Sequence, residues 1–271
     1  QWRPRSITKM RVAANRVRPP AAPRSQFRRA PAILPCMKSA LFSLVLGLSA
    51  SVAVSAQPVL NTYAPPKNST LLATTLVDWD SLTPTPTSVG EVRQIFDNPT
   101  RTLDKVEVHA TTLNPGMQSH PIHRHSWEEI LLVKEGDFEG SINGTKHHAG
   151  PGALVFFAAN DAHNAVNAGT TRATYYVINF VSDLSHGESA ESAKPAAERA
   201  VPGKLASSVI DCNSKPSAPT PTGSRIVCVS SPTLTFLALE SHITTLNAGQ
   251  STAAAMIDHN DEFVWIKSGD V

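Results

Sequence analysis

The sequence predicts an all-β fold, either a sandwich or a barrel. Short apolar and β-branched runs are separated by turn residues, and no helical stretch interrupts them between Leu71 and Phe180. The run Asn114-Pro115-Gly116 and the dipeptide Asn143-Gly144 are typical of tight turns between antiparallel strands. The strand pattern also repeats later in the chain. Many short strands with this punctuation favour two packed or closed sheets.

The strands are predicted in chain order after an extended leader over Thr62–Pro66. They are Leu71–Asp78, Val92–Phe96, Val106–Leu113, a strand with His123 and His125, a strand with Ile130–Val133, Phe138–Ile142, Ala153–Phe157 and Thr174–Phe180. From Ser182 the composition turns to Ser, Ala and Glu, which is typical of a solvated linker. We therefore place a first barrel at residues 57–184 and a linker at 185–204.

Four side chains have the spacing of a metal site. His123 and His125 alternate, so on a strand both imidazoles leave the same face. Glu129 follows them, and His163 comes after a second apolar run. Three imidazoles and one carboxylate suit one divalent transition metal, which could be Mn, Fe, Zn, Ni or Cu.

These residues resemble the two motifs of the cupin superfamily. Motif one is matched by Gly116, His123, His125, Glu129 and Gly136, with one extra residue after Gly116. Motif two is matched by Gly152, Ala158, Asn160, His163 and Asn167, where Ala158 and Asn160 replace the usual Pro and Gly. The resemblance implies a double-stranded β-helix, or jelly-roll, barrel. It also implies a metal held by His123, His125, Glu129 and His163, and a small-molecule ligand or substrate.

Other polar residues near the motifs are not expected to bind the metal. His120 lies in a loop, where it could at most support a ligand, and His147 and His148 are expected in solvent beside the Asn143-Gly144 turn. Glu128 should point away from the face that carries Glu129. No residue outside the ligand set is identifiable from the sequence as a general acid or base.

The N-terminal part differs from the rest in charge and composition. Residues 1–36 hold nine Arg or Lys and no acidic residue, whereas the chain from Gln57 holds 14 basic and 22 acidic side chains. The acidic balance of the folded part argues against nucleic-acid binding. Residues 1–36 show no helical or strand period, and we interpret them as sequence upstream of the true start; an Arg-rich transit peptide is the alternative.

Residues 37–56 have the anatomy of a secretory signal peptide. A basic start at Met37-Lys38 precedes an apolar core and a small-residue exit at Val54-Ser55-Ala56, so cleavage would leave Gln57 first. The alternative is a membrane anchor, but the apolar run is short and interrupted by Ser and Gly. We therefore expect an exported protein, periplasmic or secreted, without a stable membrane anchor.

The sequence repeats itself beyond the linker at a fixed offset of 133 residues. Comparing residues 71–137 with 204–270 gives 21 identities in 67 positions without a gap. The closest match places Thr111–Gly116 beside Thr244–Gly249. This repeat indicates a duplicated module and resembles a two-cupin protein, and a homodimer through the barrels remains open.

The second copy, residues 205–271, is expected to lack the metal. His123 is replaced by Met256 and His125 by Asp258, Glu129 is retained as Glu262, and His259 lies one position off the strand face. The copy stops at the position of Asp137-Phe138, so we expect a partial barrel with a structural role, in a chain that is a fragment.

Two cysteines remain after removal of the signal segment. Cys212 and Cys228 correspond by the repeat to Trp79 and Ile95, both apolar, which suggests neighbouring buried positions. An even cysteine count suits an oxidising compartment, so a disulfide between them is predicted. The alternative is two unpaired buried thiols.

The sequence leaves the activity open between two classes. A mononuclear-metal enzyme of oxygenase, decarboxylase or isomerase type is one, since the fold alone does not choose among these chemistries. A non-catalytic protein that binds a small molecule, with the metal as anchor or stabiliser, is the alternative.

Overall fold

The computed structural model describes residues 5–13, 59–61, 63–185, 200–252 and 260–269. In these ranges the strands are β1 (Arg5–Ala13), β2 (Val59–Asn61), β3 (Thr85–Thr87), β4 (Gly90–Asn98), β5 (Lys105–Leu113), β6 (His123–His125), β7 (Glu128–Glu135), β8 (Phe138–Ile142), β9 (Thr145–Ala149), β10 (Leu154–Phe157), β11 (His163–Asn167), β12 (Ala173–Val181), β13 (Ser208–Ile210), β14 (Ala218–Thr220), β15 (Gly223–Ser231), β16 (Ala238–Leu246) and β17 (Asp261–Ser268). Short 3-10 helices lie at Trp79–Ser81, Asp183–Ser185 and Cys212–Ser214. No helix in the described ranges is long and apolar enough to cross a membrane.

The first barrel consists of two sheets that face each other. A seven-stranded sheet has the order β13-β10-β7-β12-β5-β4-β3, and a five-stranded sheet has the order β2-β6-β11-β8-β9. Apolar side chains such as Leu131, Phe138 and Tyr175 fill the space between the sheets. The predicted all-β jelly-roll barrel is thereby confirmed, and β9 and β11 are strands that the sequence pattern did not predict.

The predicted turns close two of the strand connections. Asn143 and Gly144 both have positive φ, 48° and 85°, which is the geometry of a type I′ hairpin between β8 and β9. Gly116 has φ 73°, and the N–H of Met117 donates to the carbonyl of Asn114 at 3.1 Å. Local chemistry at these positions therefore decides the backbone path.

A third sheet covers the outer face of the seven-stranded sheet. Its order is β14-β15-β16-β1-β17. Alternate residues of β7 and β12, such as Ile130 and Ile178, point outward and pack against Leu239 and Ile243 of β16. The ring of Phe180 meets that of Phe236 edge-on at 5.9 Å. This second core joins the two copies of the repeat within one compact unit that holds every described residue.

The offset of 133 residues is visible in the backbone. Strands β3, β4, β5 and β7 of the first copy have the same bounds, shifted by the offset, as β14, β15, β16 and β17 of the second. The register shift after Gln94 recurs after Val227. Gly90 and Gly223 occupy the same place, where an added Cβ would collide with the carbonyl of the opposing strand. The two copies thus share one framework.

A reciprocal pair of hydrogen-bonded carboxylates joins the copies. The buried carboxylate of Glu128 accepts from Thr233 Oγ1 at 2.6 Å and from the backbone N–H groups of the two residues that follow. At the position equivalent to Glu128, Asp261 accepts from the hydroxyls of Thr100 and Thr102. Thr233 is the repeat equivalent of Thr100. The arrangement has the reciprocity of a two-fold interface, here within one chain.

Two predictions about strands need correction. Residues 5–13 were expected to have no strand period, yet they form β1 between β16 and β17. In the first copy, β12 holds the equivalent place between β5 and β7. The register is also equivalent, because Arg5 pairs with Leu246 and Ala173 pairs with Leu113, the repeat equivalent of Leu246. A gap between two strands leaves backbone donors and acceptors without partners, and β1 satisfies them.

The predicted strand over Leu71–Asp78 is also wrong, because these residues form irregular extended chain. Their repeat equivalent, β13, is a strand because it pairs with β10 of the first copy. Residues 71–78 pair with no strand among the described residues, and Leu76 lies 90% exposed. A strand exists only where a neighbour supplies its hydrogen bonds.

Cys212 and Cys228 are joined by a disulfide with a Cα–Cα distance of 5.1 Å, inside the range that such a bond allows. Both cysteines are buried in the core between the copies. The predicted signal peptide at 37–56, most of the linker at 185–204, and Met256, Asp258 and His259 lie outside the described residues.

Candidate metal centre

Three strands and one turn bring the four predicted ligands together. β6 places His123 and His125 on one face, and His163 at the start of β11 pairs directly with His123. Glu129 lies on β7 in the opposite sheet. Asn160 takes φ 68°, which Asn tolerates better than most residues, and its N–H donates to the His125 carbonyl at 2.7 Å. The substitution of Asn for the usual Gly therefore keeps the turn beside His163.

The four side chains are buried and close to one another. Ligand atoms of His123, His125 and His163 lie within 4.8 Å of one another, so this group could hold a metal ion. The carboxylate of Glu129 lies 3.3 Å from His125 Nε2 and 3.9 Å from His163 Nε2. The sequence-predicted set thus meets at one point between the two sheets.

The hydrogen bonds of the histidines select the tautomer that metal binding requires. Nδ1 of His123 donates to the carbonyl of His163 at 3.1 Å, Nδ1 of His125 to that of Trp127 at 2.9 Å, and Nδ1 of His163 to that of Asp161 at 2.8 Å. A carbonyl can only accept, so each Nδ1 carries the proton and each Nε2 presents a lone pair. Nε2 of His163 is buried without a hydrogen bond. Such backbone partners are those that orient metal-bound histidines.

The protonation states also suit a cation. Burial lowers the pKa of His163 to about 3 and, together with the charge of His120, lowers that of His123 to about 4. Burial would raise the pKa of Glu129, but its contact with His125 and the neighbouring imidazoles lower it below the ordinary value. Neutral imidazoles and an ionised carboxylate are the forms that bind metals.

Aromatic rings fix the orientation of two ligands. Trp127 stacks on His125 with ring centroids 4.2 Å apart, and Phe157 stacks on His163 at 4.1 Å. The Trp127 Nε1–H donates to Asn179 Oδ1 at 2.9 Å, which holds the indole in place. The imidazoles are therefore positioned before any ligand binds.

A cavity of about 180 Å³ opens on the ligand group. Several polar atoms in its wall are buried without hydrogen bonds: Ser119 Oγ, Asn164 Oδ1 and the Tyr175 hydroxyl, besides His163 Nε2. Burial raises the pKa of Tyr175, although Ser119 and Thr111 are near enough to lower it partly. Unpaired buried polar atoms are costly, so this wall is suited to a polar ligand.

A second cavity of about 480 Å³ adjoins the first through shared residues. Asn61, Trp127 and Asn179 line both cavities. The second cavity also contains Lys105, whose ammonium lies 3.2 Å from Asp97. Together they provide space next to the ligand group for a molecule larger than the inner cavity.

The residues that the sequence analysis left outside the ligand set are not part of the histidine group that could hold a metal in the described part of the chain. Glu128 faces the second copy, and His148 is exposed beside Asp137 and Glu139. His147 is half-buried on β9. His120 is exposed at the cavity, with its ring 4.0 Å from that of His123.

The sequence did not indicate Tyr175, Asn164, Trp127 or His109 as cavity residues. Tyr175 could have been found by strand alternation, because it faces the interior between Ala173 and Val177 on β12. The others required the pairing of distant strands. Glu262 of the second copy lies at the start of β17, and the histidine group that could hold a metal comes from the first copy among the described residues.

Part of the chain is similar to a known protein family and to several solved structures. The family model described as Cupin domain matches residues 109–179. No curated protein sequence is significantly similar to the chain. An RmlC-like cupin from Shewanella frigidimarina is 14% identical, with 41% of this chain and 94% of that chain covered and a TM-score of 0.35.

Two further solved structures have similar values. KdgF from a Halomonas species is 16% identical over 41% of this chain and 97% of that chain, with a TM-score of 0.34. A variant of oxalate decarboxylase from Bacillus subtilis is 16% identical over 43% of this chain and 32% of that chain, with a TM-score of 0.33. Such scores carry no argument about function. The matched stretch runs from within β5 into β12 and contains the whole ligand group, so residues 109–179 of this chain match the cupin domain family.

Proposed function

We propose that the protein binds one divalent transition metal through His123, His125, Glu129 and His163 and acts as a mononuclear-metal enzyme on a small organic molecule. The observation that carries this proposal is the set of Nδ1–H bonds to backbone carbonyls, which turns three Nε2 lone pairs toward one point. A histidine cluster with a purely structural role has no need of this convergence.

The bound metal would supply a Lewis acid or redox centre with positions left open for substrate oxygen atoms. The chain itself contributes binding and exclusion of water. Ser119, Asn164 and Tyr175 offer polar atoms that a substrate can satisfy, while Leu131 and Phe157 form apolar wall. Oxygenase, decarboxylase and isomerase chemistry all remain within the proposal, because fold does not select among them.

Metal content after native purification tests the proposal, with redox state as the companion measurement. We expect one metal ion per chain in the wild-type protein. His125→Ala should lower occupancy by about tenfold or more, since loss of a ligand costs no less than loss of a supporting partner. Glu262→Ala, the equivalent of Glu129 in the second copy, is the matched control and should leave occupancy unchanged. Equal metal content in wild type and His125→Ala would refute the assignment.

A second candidate is a non-catalytic small-molecule-binding protein, with the metal as anchor. The unpaired polar atoms around Tyr175 favour a bound polar molecule whether or not it is converted. Turnover assays of metal-loaded protein with small carboxylate and phenolic compounds separate the candidates. Saturable binding without turnover across these classes would favour the binding protein.

We also propose a two-cupin architecture and export from the cytoplasm. The shared strand bounds and the reciprocal carboxylates support the first. The basic, apolar and small-residue order of Met37–Ala56 supports the second. N-terminal sequencing of protein from an exporting host should begin at or near Gln57, and recovery of residues 1–36 on a cytoplasmic protein would count against export.

A further inference from the structure

Glu107 and His109 form an acid–imidazole pair on the wall of the metal cavity. Nδ1 of His109 lies 2.8 and 3.0 Å from the two carboxylate oxygens of Glu107. His109 lines the same cavity as the histidine group. The two residues alternate on β5, so both side chains lie on the interior face of the sheet.

The carboxylate of Glu107 is held by further donors. It accepts from Gln94 Nε2 at 2.8 Å and from Asn179 Nδ2 at 2.9 Å. Asn179 in turn accepts from Trp127, the residue that stacks on His125. A chain of contacts therefore runs from a predicted metal ligand to His109.

These contacts determine which nitrogen of His109 serves the cavity. Burial would raise the pKa of Glu107, but the hydrogen bond and charge of His109, with the bonds from Gln94 and Asn179, lower it. An ionised carboxylate only accepts, so Nδ1 of His109 carries a proton. Nε2 is then the ring nitrogen that remains for a molecule in the cavity, as in other carboxylate–imidazole bases.

The sheet register leaves room for such a molecule. Glu107 pairs with Asn179, and Asn179 pairs with Glu129, so two strand spacings separate Glu107 from the predicted carboxylate ligand. This is a backbone distance of about 10 Å. His109 and the histidine group thus border one small cavity from different strands.

We propose that His109 transfers a proton to or from a small molecule bound at the histidine group, with Glu107 as its positioning residue. This inference rests on the proposed metal-dependent function. The molecule is of the class with an acidic O–H group, such as a carboxylic acid, an enol or a phenol. In the forward step the O–H bond breaks, the oxygen keeps the electron pair, and a new N–H bond forms at Nε2. The reverse step returns the proton.

The chain supplies a matched control for this pair. Glu240 and His242 occupy the equivalent positions on β16 of the second copy. Among the described residues no histidine group stands opposite them. A structural role common to both copies would make His109→Gln and His242→Gln equivalent, whereas the proposed role sets them apart.

The test uses nitrocatechol as a chelating probe whose absorption reports its loss of protons. Protein loaded with manganese(II) is titrated with the probe at neutral pH without oxygen. We expect the wild-type protein to bind the doubly deprotonated probe. His109→Gln should raise the Kd about tenfold at unchanged metal content, the loss expected for one charge-assisted hydrogen bond. His242→Gln should bind as the wild type does.

Equal probe affinity in wild type and His109→Gln, or no probe uptake by metal-loaded wild type, overturns the proposal. A second measurement is independent of metal. Nitrogen NMR of the metal-free protein should show His109 protonated at Nδ1, and Glu107→Gln should change this signature. Protonation at Nε2 alone overturns the proposal. A wild-type protein that takes up no metal refutes the proposed function, while the NMR result still decides the state of His109.

Discussion

Strands β4, β5 and β7 of the first copy and β15, β16 and β17 of the second have equivalent bounds, yet they border different spaces. In the first copy Leu131 and Val133 face the five-stranded sheet that contains β6 and β11, and they are 1% and 2% exposed. Their equivalents Val264 and Ile266 are 46% and 44% exposed. Among the described residues, no strands of the second copy correspond to β6, β8, β9 and β11. The strand framework is therefore common to both copies, whereas the ligand group among the described residues lies in the first copy alone.

The shared framework consists of turn glycines, sheet register and the contacts between copies. The ligand group depends instead on β6 and β11, which pair with each other in the opposite sheet of the first barrel. Glu262 keeps the place of Glu129 on β17, and the histidine group that could hold a metal among the described residues is that of the first copy. Among the described residues, the ligand group therefore belongs to the first copy, whereas the hydrogen bonds between the copies involve both.

The reciprocal carboxylates give the largest expected difference between the copies. Glu128→Ala should lower the free energy of unfolding by roughly 4 kcal/mol, because three donors lose a buried acceptor at about 1–3 kcal/mol each. Asp261→Ala should cost only about 1–2 kcal/mol, since Asp261 and Thr102 are half-buried and water can replace the carboxylate there, so that only the buried hydroxyl of Thr100 is left without its acceptor. Denaturant unfolding measures both. Metal content should not change in either variant, because Glu128 faces away from the ligands. A cost for Asp261→Ala equal to that for Glu128→Ala would show that the two contacts are energetically symmetric.

The disulfide gives the next largest difference, since it joins two positions that carry cysteines in the second copy and apolar side chains in the first. Cys212 corresponds to Trp79, whose ring meets that of Tyr176 at 5.8 Å and lies under the cationic groups of Arg93 and Lys134. The bond between Cys212 and Cys228 spans 16 residues. Loop entropy for that length predicts about 3 kcal/mol of stabilisation.

Replacing both cysteines by Ser should therefore lower the unfolding free energy by about 3 kcal/mol. Reductant should lower the Tm of the wild-type protein toward that of the variant and leave the Tm of the variant unchanged. The thermal unfolding of the two proteins with and without reductant is the measurement. Two free thiols titrating in the native exported protein would contradict the bond.

Sequence reasoning reached the parts that depend on local chemistry. The Asn143-Gly144 turn, the His123 and His125 spacing and the outward direction of Glu128 each follow from side-chain alternation or turn preference. It failed where a partner strand decides the outcome. Residues 71–78 have the composition of a strand but form no strand pairing, whereas residues 5–13 pair with β16 although their sequence has no obvious strand pattern. His109 was missed for the same reason, because its role emerges only when β5, β12 and β7 stand side by side.

The smallest expected effect concerns β1. This strand lies between β16 and β17, the position that β12 has between β5 and β7 in the first copy. Met10 is fully buried in the core between the copies, at the place that Ile178 occupies on β12. In the full chain, Met10→Ala should lower the unfolding free energy by about 2 kcal/mol, the low end for such truncations because a flexible methionine leaves a site that can repack. Amide hydrogen exchange is the sharper measurement, because the same variant should speed exchange along β16, which β1 pairs with, and not along β5, which β12 pairs with. Unchanged stability with unchanged exchange in β16 would show that residues 5–13 do not hold this place in solution. A chain processed to begin at Gln57 lacks β1 altogether, so its β16 amides should exchange faster still than those of Met10→Ala.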